Sequence, residues 1–332
     1  MNMYLVYLLF AVGLILIIKG GDLFVDAAVW LAEITGIPHI IIGATVVSLG
    51  TTLPELFVSV NASLKGISDI AIGNAVGSTI CNTGLVASLI IIFASGEINR
   101  NAYIKKGLLL ILSIFSVFYF SIDLVISKYE SIFLFILLLI YIILNIRLSK
   151  KSSSTVSVEE IDQSNDALIK NGLKFVFGLL FIIFGANFLV DNGVIIAKHF
   201  NVPESIVALT LVAFGTSLPE LITGISSIVK GNHHIGLGNI IGANILNYIM
   251  IIPTASFFSK NGLIINKYSF DIMGHSFSDV AQSLKLDIPI SLLMTFLFIF
   301  PVIIKEKNYR SQGFIILSTY IVYLGILLNI AI

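Results

Sequence analysis

Glu55 and Glu220 stand where a carboxylate needs a reason. Each follows a proline inside a long apolar segment, in Gly50-Thr51-Thr52-Leu53-Pro54-Glu55 and Gly215-Thr216-Ser217-Leu218-Pro219-Glu220. A charge at the centre of a membrane helix costs roughly 2.5–3.5 kcal/mol on insertion scales. Two such charges in matching hexapeptides point to one site with two walls. Proline lacks a backbone donor and clashes with the preceding helical turn. Pro54 therefore frees carbonyls near Gly50 and Thr51, and Pro219 does so near Gly215 and Thr216. With the hydroxyls of Thr51, Thr52, Thr216 and Ser217, the carboxylates complete an all-oxygen set. Such a set suits Ca²⁺, which accepts many oxygens in adaptable geometry, and Na⁺, which is similar in size. A soft metal would want Cys or His, absent from both motifs. One divalent cation also balances two carboxylates where the dielectric is low. Without a cation, one of the two is expected to hold a proton.

A second pair of motifs follows the first. Gly73-Asn74-Ala75-Val76-Gly77-Ser78 and Gly238-Asn239-Ile240-Ile241-Gly242-Ala243 carry the glycine spacing that lets membrane helices approach closely. Asn82 lies one helical turn beyond Ser78, and Asn247 one turn beyond Ala243, so their side-chain oxygens can face the same centre. Several polar residues have blander explanations. Gly73 and Gly77 read first as packing positions, and Thr45 and Thr210 as hydroxyls bonded back to their own helix. Asp26 and Asp191 fall late in long helices and suit an interface or gate better than a ligand. His233 and His234 fit a solvated turn, Lys19 snorkels or pairs with Asp22, and Cys81 is a packed thiol.

These residues must be held by membrane spans. Of 332 residues, 57% are hydrophobic and 11% charged, and mean hydropathy is +1.02. Soluble domains carry about 25% charged residues, so the composition is that of a polytopic membrane protein embedded in a lipid bilayer. Net charge is zero, which gives no field to attract nucleic acid. A single cysteine forbids an internal disulfide. The first apolar run has no basic stretch before it and outlasts a signal peptide, so it reads as a span. Ten spans are expected, at 3–34, 39–63, 70–94, 103–122, 130–146, 172–199, 203–229, 235–257, 288–304 and 313–332. Residues 147–170 form a polar, serine-rich linker, and 259–287 suit either a structured loop or an interfacial helix.

A shift of 165 residues lays Gly20–Asn82 on Gly185–Asn247 without a gap, and 23 of the 63 positions are identical. Asp26/Asp191, Pro38/Pro203, Glu55/Glu220, Asn74/Asn239 and Asn82/Asn247 are among the matches. Apolar bias cannot align two Pro-Glu and two Gly-Asn at one offset. Each half holds five spans, and five is odd, so the second half enters the membrane from the other side. The predicted fold is all-α: ten transmembrane helices in two inverted five-helix repeats, 1–146 and 171–332, with the site at their interface near the midplane. With both termini extracellular, eleven basic residues, Arg100, Lys105, Lys106 and Arg147 among them, fall in cytoplasmic loops and six in external ones. That distribution obeys the positive-inside rule, places the chain in the cell membrane and puts the central linker in the cytoplasm.

The paired Gly-Thr-(Thr/Ser)-Leu-Pro-Glu motifs, each followed by Gly-Asn-x-x-Gly, resemble the two repeats of the sodium/calcium exchanger family, part of the calcium/cation antiporter superfamily. The short linker has no room for large calcium-sensing domains, so the resemblance is to the compact prokaryotic type. It implies long first and sixth helices that slide against the other eight. It implies Ca²⁺ held by the carboxylates of Glu55 and Glu220 and the carbonyls of Thr51 and Thr216. Sodium sites around that centre would use Ser78, Asn82, Thr51, Thr52, Thr216, Ser217 and the carbonyls of Ser48 and Ala213. Asn247 and Ala243 depart from the pattern, which often has Asp and Ser there; two carboxylates remain instead of three. The implied function is Na⁺/Ca²⁺ antiport by alternating access, without a cofactor and without enzymatic chemistry, and one chain suffices for the site. The alternative on the same fold is proton/Ca²⁺ antiport. A cation channel would want a pore with symmetry between subunits, and an intramembrane hydrolase would need an Asp pair, a Ser/His pair or a histidine metal motif; neither pattern is present.

Overall fold

The computed structural model describes residues 3–96, 100–152, 164–199, 215, 217–272 and 275–331. Among the described residues there are ten helices: α1 (Met3–Thr35), α2 (His39–Leu64), α3 (Ser68–Phe93), α4 (Arg100–Phe120), α5 (Lys128–Ser152), α6 (Asn165–His199), α7 (Leu218–Val229), α8 (His233–Phe258), α9 (Ser283–Lys305) and α10 (Arg310–Ala331). Among the described residues nine of these are long and apolar enough to cross a membrane, and α7 is shorter. The first part of the span expected at 203–229, with Pro203 and Thr210, lies outside the described residues. The protein is an all-α polytopic membrane protein.

The inverted repeat is visible in backbone detail. Both α2 and α7 end in the same turn. Ile67 N–H reaches Ala62 O at 2.9 Å and Gly66 N–H reaches Ser63 O at 3.0 Å, while Asn232 N–H reaches Ser227 O at 2.8 Å and Gly231 N–H reaches Ile228 O at 3.0 Å. Gly66 and Gly231 take φ of +75° and +70°, the left-handed conformation this helix stop requires. In α3 and α8 a wide π-turn opens at Asn82 and at Asn247, the same place in each repeat. A further π-turn at Gly43–Val47 bends α2, with Ala44 at ψ +15°. Extra residues of this kind recur at functional sites because they re-aim the side chains that follow.

The layers follow from burial. In α8, 94% of the apolar stretch is buried inside the protein, and in α3 72%; in α1 and α6 the shares are 18% and 17%. So α3 and α8, with α2, form the centre, and α1 lies along α6 at the periphery. Gly20 and Gly178 make that pairing close. A Cβ on Gly20 would sit 2.8 Å from Gly178 O, and one on Gly178 would sit 2.7 Å from Phe24 N. Two apolar helices meeting through glycine gain dispersion contact that lipid cannot supply.

One open alternative is resolved and two expectations change. First, the described residues from Ser259 to Gln282 form a structured loop, not an interfacial helix, and α9 takes over at Ser283. Leu263–Ile264 (β2) pairs antiparallel with Val125–Ile126 (β1), and Tyr268–Ile272 (β3) forms a hairpin with His275–Val280 (β4). Alternating polar and apolar residues there suit a strand better than a helix. Asp69 at the start of α3 anchors the loop, accepting from Asn266 Nδ2 and Tyr268 Oη, both at 2.6 Å. Second, helix extends into both ends of the expected linker: α5 runs to Ser152, and Ser164 Oγ caps α6 by accepting from Ala167 N–H at 3.2 Å. Third, Lys106 is not a loop residue. The helix begins at Arg100, so Lys106 falls one turn past Tyr103 on its inward face and is fully buried.

Candidate ion-binding site

The first motif sits on α2 just after its π-turn, and Pro54 is accommodated inside a continuing helix. The second motif opens a helix instead. Ser217, at φ −88° and ψ 3°, is the N-cap; α7 starts at Leu218 with Pro219 in its first turn and Glu220 beside it. Proline is tolerated there because its missing N–H would be unpaired anyway. The N-terminal end of a helix favours a nearby negative charge. One glutamate is thus set by a helix interior and its twin by a helix start.

Glu55 and Glu220 are 1% and 0% exposed, and Ser48, Thr51, Thr52, Ser78, Asn82, Ser217 and Asn247 are all buried with them. Glu55 lies within the field of Glu220, and Thr51 on α2 bonds Asn239 on α8, so the two repeats meet here. Among the described residues, thirteen buried side-chain nitrogen and oxygen atoms lack a hydrogen-bond partner. Eight belong to six residues picked from the motifs: both carboxylate oxygens of Glu55 and of Glu220, Thr52 Oγ1, Ser217 Oγ, Asn82 Oδ1 and Asn247 Oδ1. An unpartnered buried polar group costs about 1–3 kcal/mol, and more when charged. Eight buried oxygen atoms without a hydrogen-bond partner make a donor set that a cation could satisfy. The set is hard, oxygen-only and doubly negative, which fits Ca²⁺ or Na⁺ as cargo. Among the described residues no cluster of three or more His, Cys, Asp or Glu exists, so a third carboxylate does not join the two.

The amide nitrogens explain how the oxygens are aimed. Asn82 Nδ2 donates to Asn244 Oδ1 and Asn247 Nδ2 to Thr79 Oγ1, both at 3.2 Å. The acceptors, residues 79 and 244, are themselves repeat equivalents, so each asparagine is turned by the opposite half of the molecule. Asn244 is held in turn by donating to Thr83 Oγ1 at 2.8 Å. With the nitrogens tied back, Oδ1 of both residues is left as the free end.

The Gly-Asn motifs act as braces. Asn74 Nδ2 donates to Glu55 O at 3.0 Å and Ser59 Oγ at 2.9 Å, fixing α2 around its proline. Asn239 accepts from Thr51 Oγ1 at 3.1 Å and donates to Thr223 Oγ1 at 2.9 Å, linking α2, α8 and α7. These braces, with Thr79, Thr83 and Asn244, escaped the sequence reading; the repetition of Asn74 as Asn239 was the available signal. Close packing delivers them. A Cβ on Gly242 would lie 2.5 Å from Ser48 Oγ and 2.7 Å from Ala44 Cα, and one on Gly238 would strike Ile40 O. Ser48 Oγ donates to Thr45 O at 3.2 Å, and Thr45 bonds back to Ile41 O at 2.7 Å. The Cys81 thiol lies against the hydroxyls of Ser217 and Tyr320 at the edge of the site. Thr216 and Ala213 lie outside the described residues.

The family model described as sodium/calcium exchanger protein matches residues 5–147 and 171–329. The chain belongs to the sodium/calcium exchanger family. Relatives include the inner membrane protein YrbG of Escherichia coli, 35% identical over 81% of this chain and 85% of that protein. The sodium/calcium exchanger MaX1 of Methanosarcina acetivorans is 25% identical over 98% and 99%. Among solved structures, the sodium-calcium exchanger NCX_Mj, soaked with 2.5 mM Na⁺ and 10 mM Sr²⁺, superposes with a TM-score of 0.80 at 28% identity, covering 97% of this exchanger and 99% of that chain. The resemblance read from the two hexapeptides therefore extends over the whole fold, and MaX1 and NCX_Mj are both matched over nearly their full length.

Proposed function

We propose that this exchanger carries Ca²⁺ outward in return for Na⁺, by exposing one midplane site alternately to the two sides of the membrane. The observation that supports the reading is a set of eight buried unpartnered oxygens, contributed by both repeats and including the oxygens of two neighbouring carboxylates. Two buried like charges are tolerable only with a cation between them. Ca²⁺ would take Glu55 and Glu220 with the carbonyls of Thr51 and Thr216. Na⁺ would take Thr52, Ser217, Ser78, Asn82 and Asn247 with parts of the same carboxylates and the carbonyls of Ser48 and Ala213. Because the carboxylates are shared, each ion must leave before the other can bind, and that competition couples the two flows. The units are repeats 1–146 and 171–332 joined by a cytoplasmic linker, 147–170, with both termini extracellular; this topology keeps the basic loop residues inside even after Lys106 is removed from the count.

Proton/Ca²⁺ antiport is the second reading, and one observation favours it: Asn247 is a neutral amide whose nitrogen is tied to Thr79, so only two carboxylates serve the site. Radiolabelled Ca²⁺ uptake into proteoliposomes separates the two. Vesicles loaded with Na⁺ are expected to take up Ca²⁺, and matched vesicles with only a proton gradient are not. Uptake driven by protons alone would transfer the same site to the second reading.

A further inference from the structure

We infer that Lys230 with Asp22 and Asp26, and Lys65 with Asp191, are matched positioning residues: each lysine closes the site toward one side of the membrane, and the two closures alternate. The inference rests on the antiport reading above. The ε-ammonium of Lys230 lies 2.5 Å from Asp26 Oδ1 and 3.9 Å from Asp22 Oδ1, and it donates to Asp22 O at 2.7 Å. This ties the end of α7 to α1. Close packing backs the tie, since a Cβ on Gly21 of α1 would meet Ile222 Cγ2 at 2.6 Å and Ser226 Oγ at 2.8 Å of α7.

Lys65 is the repeat equivalent of Lys230, and Asp191 that of Asp26, at the same offset of 165. Lys65 and Lys230 cap identical glycine-terminated turns, so α2 presents Lys65 as α7 presents Lys230. Five spans separate the two turns, which puts them on opposite faces. Yet among the described residues no ion pair joins Lys65 to Asp191, and both are exposed. One latch is made while its twin is open, as alternating access requires of a molecule caught on one side of its cycle. The twins are also unequal: Asp22 becomes Asn187 in the second repeat, leaving one carboxylate instead of two on the open side. A partly exposed pair contributes little to stability, so each latch biases a balance and does not lock it.

The test uses thiol cross-linking in the full chain carrying Cys81→Ala. One variant adds Asp26→Cys and Lys230→Cys; the other adds Asp191→Cys and Lys65→Cys. Both pairs are expected to cross-link with a short bifunctional reagent, the 26/230 pair faster. Adding Lys230→Gln to the 65/191 chain is expected to raise its cross-linking rate several-fold, and Lys230→Arg to return it to the starting rate. Failure of the 65/191 pair to cross-link in either background overturns the inference, and so does a rate indifferent to Lys230→Gln. The readout is a covalent bond and not Ca²⁺ flux. Absence of sodium-driven flux would therefore sink the antiport reading without disturbing this measurement.

Discussion

At the scale of single residues, the site is a contest between charge and burial. Glu55 and Glu220 are two carboxyl groups held where water cannot screen their charge. Glu55→Gln removes one charge with almost no change of shape, and Glu220→Gln does the same from the other wall. Each variant is expected to lose Ca²⁺ exchange while its ion-free form melts at a higher temperature than the parent. A ligand present at a hundred times its dissociation constant stabilises the folded state by about 2.7 kcal/mol. That Ca²⁺-dependent rise in melting temperature should be seen in the parent and vanish in both variants; thermal unfolding in detergent with and without Ca²⁺ reads both effects. The glutamates were legible because membrane depth makes a charge conspicuous. Asn74 and Asn239 were visible as repeated residues but not as braces, since Asn239 meets Thr51 across 188 residues of chain, a separation no local pattern spans.

At the scale of elements, the centre is governed by how closely backbones approach. Gly238 on α8 leaves room for Ile40 O on α2, and the obstacle is main chain, which cannot rotate aside. Gly238→Ala is expected to destabilise the fold by about 1–3 kcal/mol or more, the usual range for overpacking. Gly325 on α10 is the control: a Cβ there meets nothing within 4 Å, and alanine is the better helix former, so Gly325→Ala should leave the melting temperature unchanged or slightly raised. Comparative melting curves of the two variants decide the matter. Span positions could be read from hydropathy, but the π-turns at Asn82 and Asn247 could not, because α3 and α8 are buried on most sides and carry no one-sided apolar stripe whose shift would show. The β3–β4 hairpin was hidden for a different reason: its register depends on anchorage at Asp69, nearly two hundred positions away.

At the scale of the whole molecule, α1 and α6 form a lightly buried pair leaning on a dense bundle. Their crossing at Gly20 and Gly178 makes them one body. Gly178→Val should therefore separate them and cut Ca²⁺ exchange severely while the bundle still binds the ion. Loss of flux with retained Ca²⁺-dependent thermal stabilisation is the expected result; loss of both would place the damage in the bundle. The family resemblance implies a division into a moving pair and a fixed remainder, and the burial contrast is what such a division would call for. The reciprocal bonds of Asn82 to Asn244 and of Asn247 to Thr79 carry a consequence for descent. A duplicated gene begins with two identical halves, and identical halves would bear the same residue at 79 and 244. Here one is threonine and the other asparagine. Divergence was permitted because a hydroxyl and an amide both end in an oxygen able to accept from the opposing amide. The asparagines that do the donating are identical in both halves, and each both donates through Nδ2 and leaves Oδ1 free. The two halves thus differ where either kind of oxygen will accept the bond, and agree where one side chain must serve two partners.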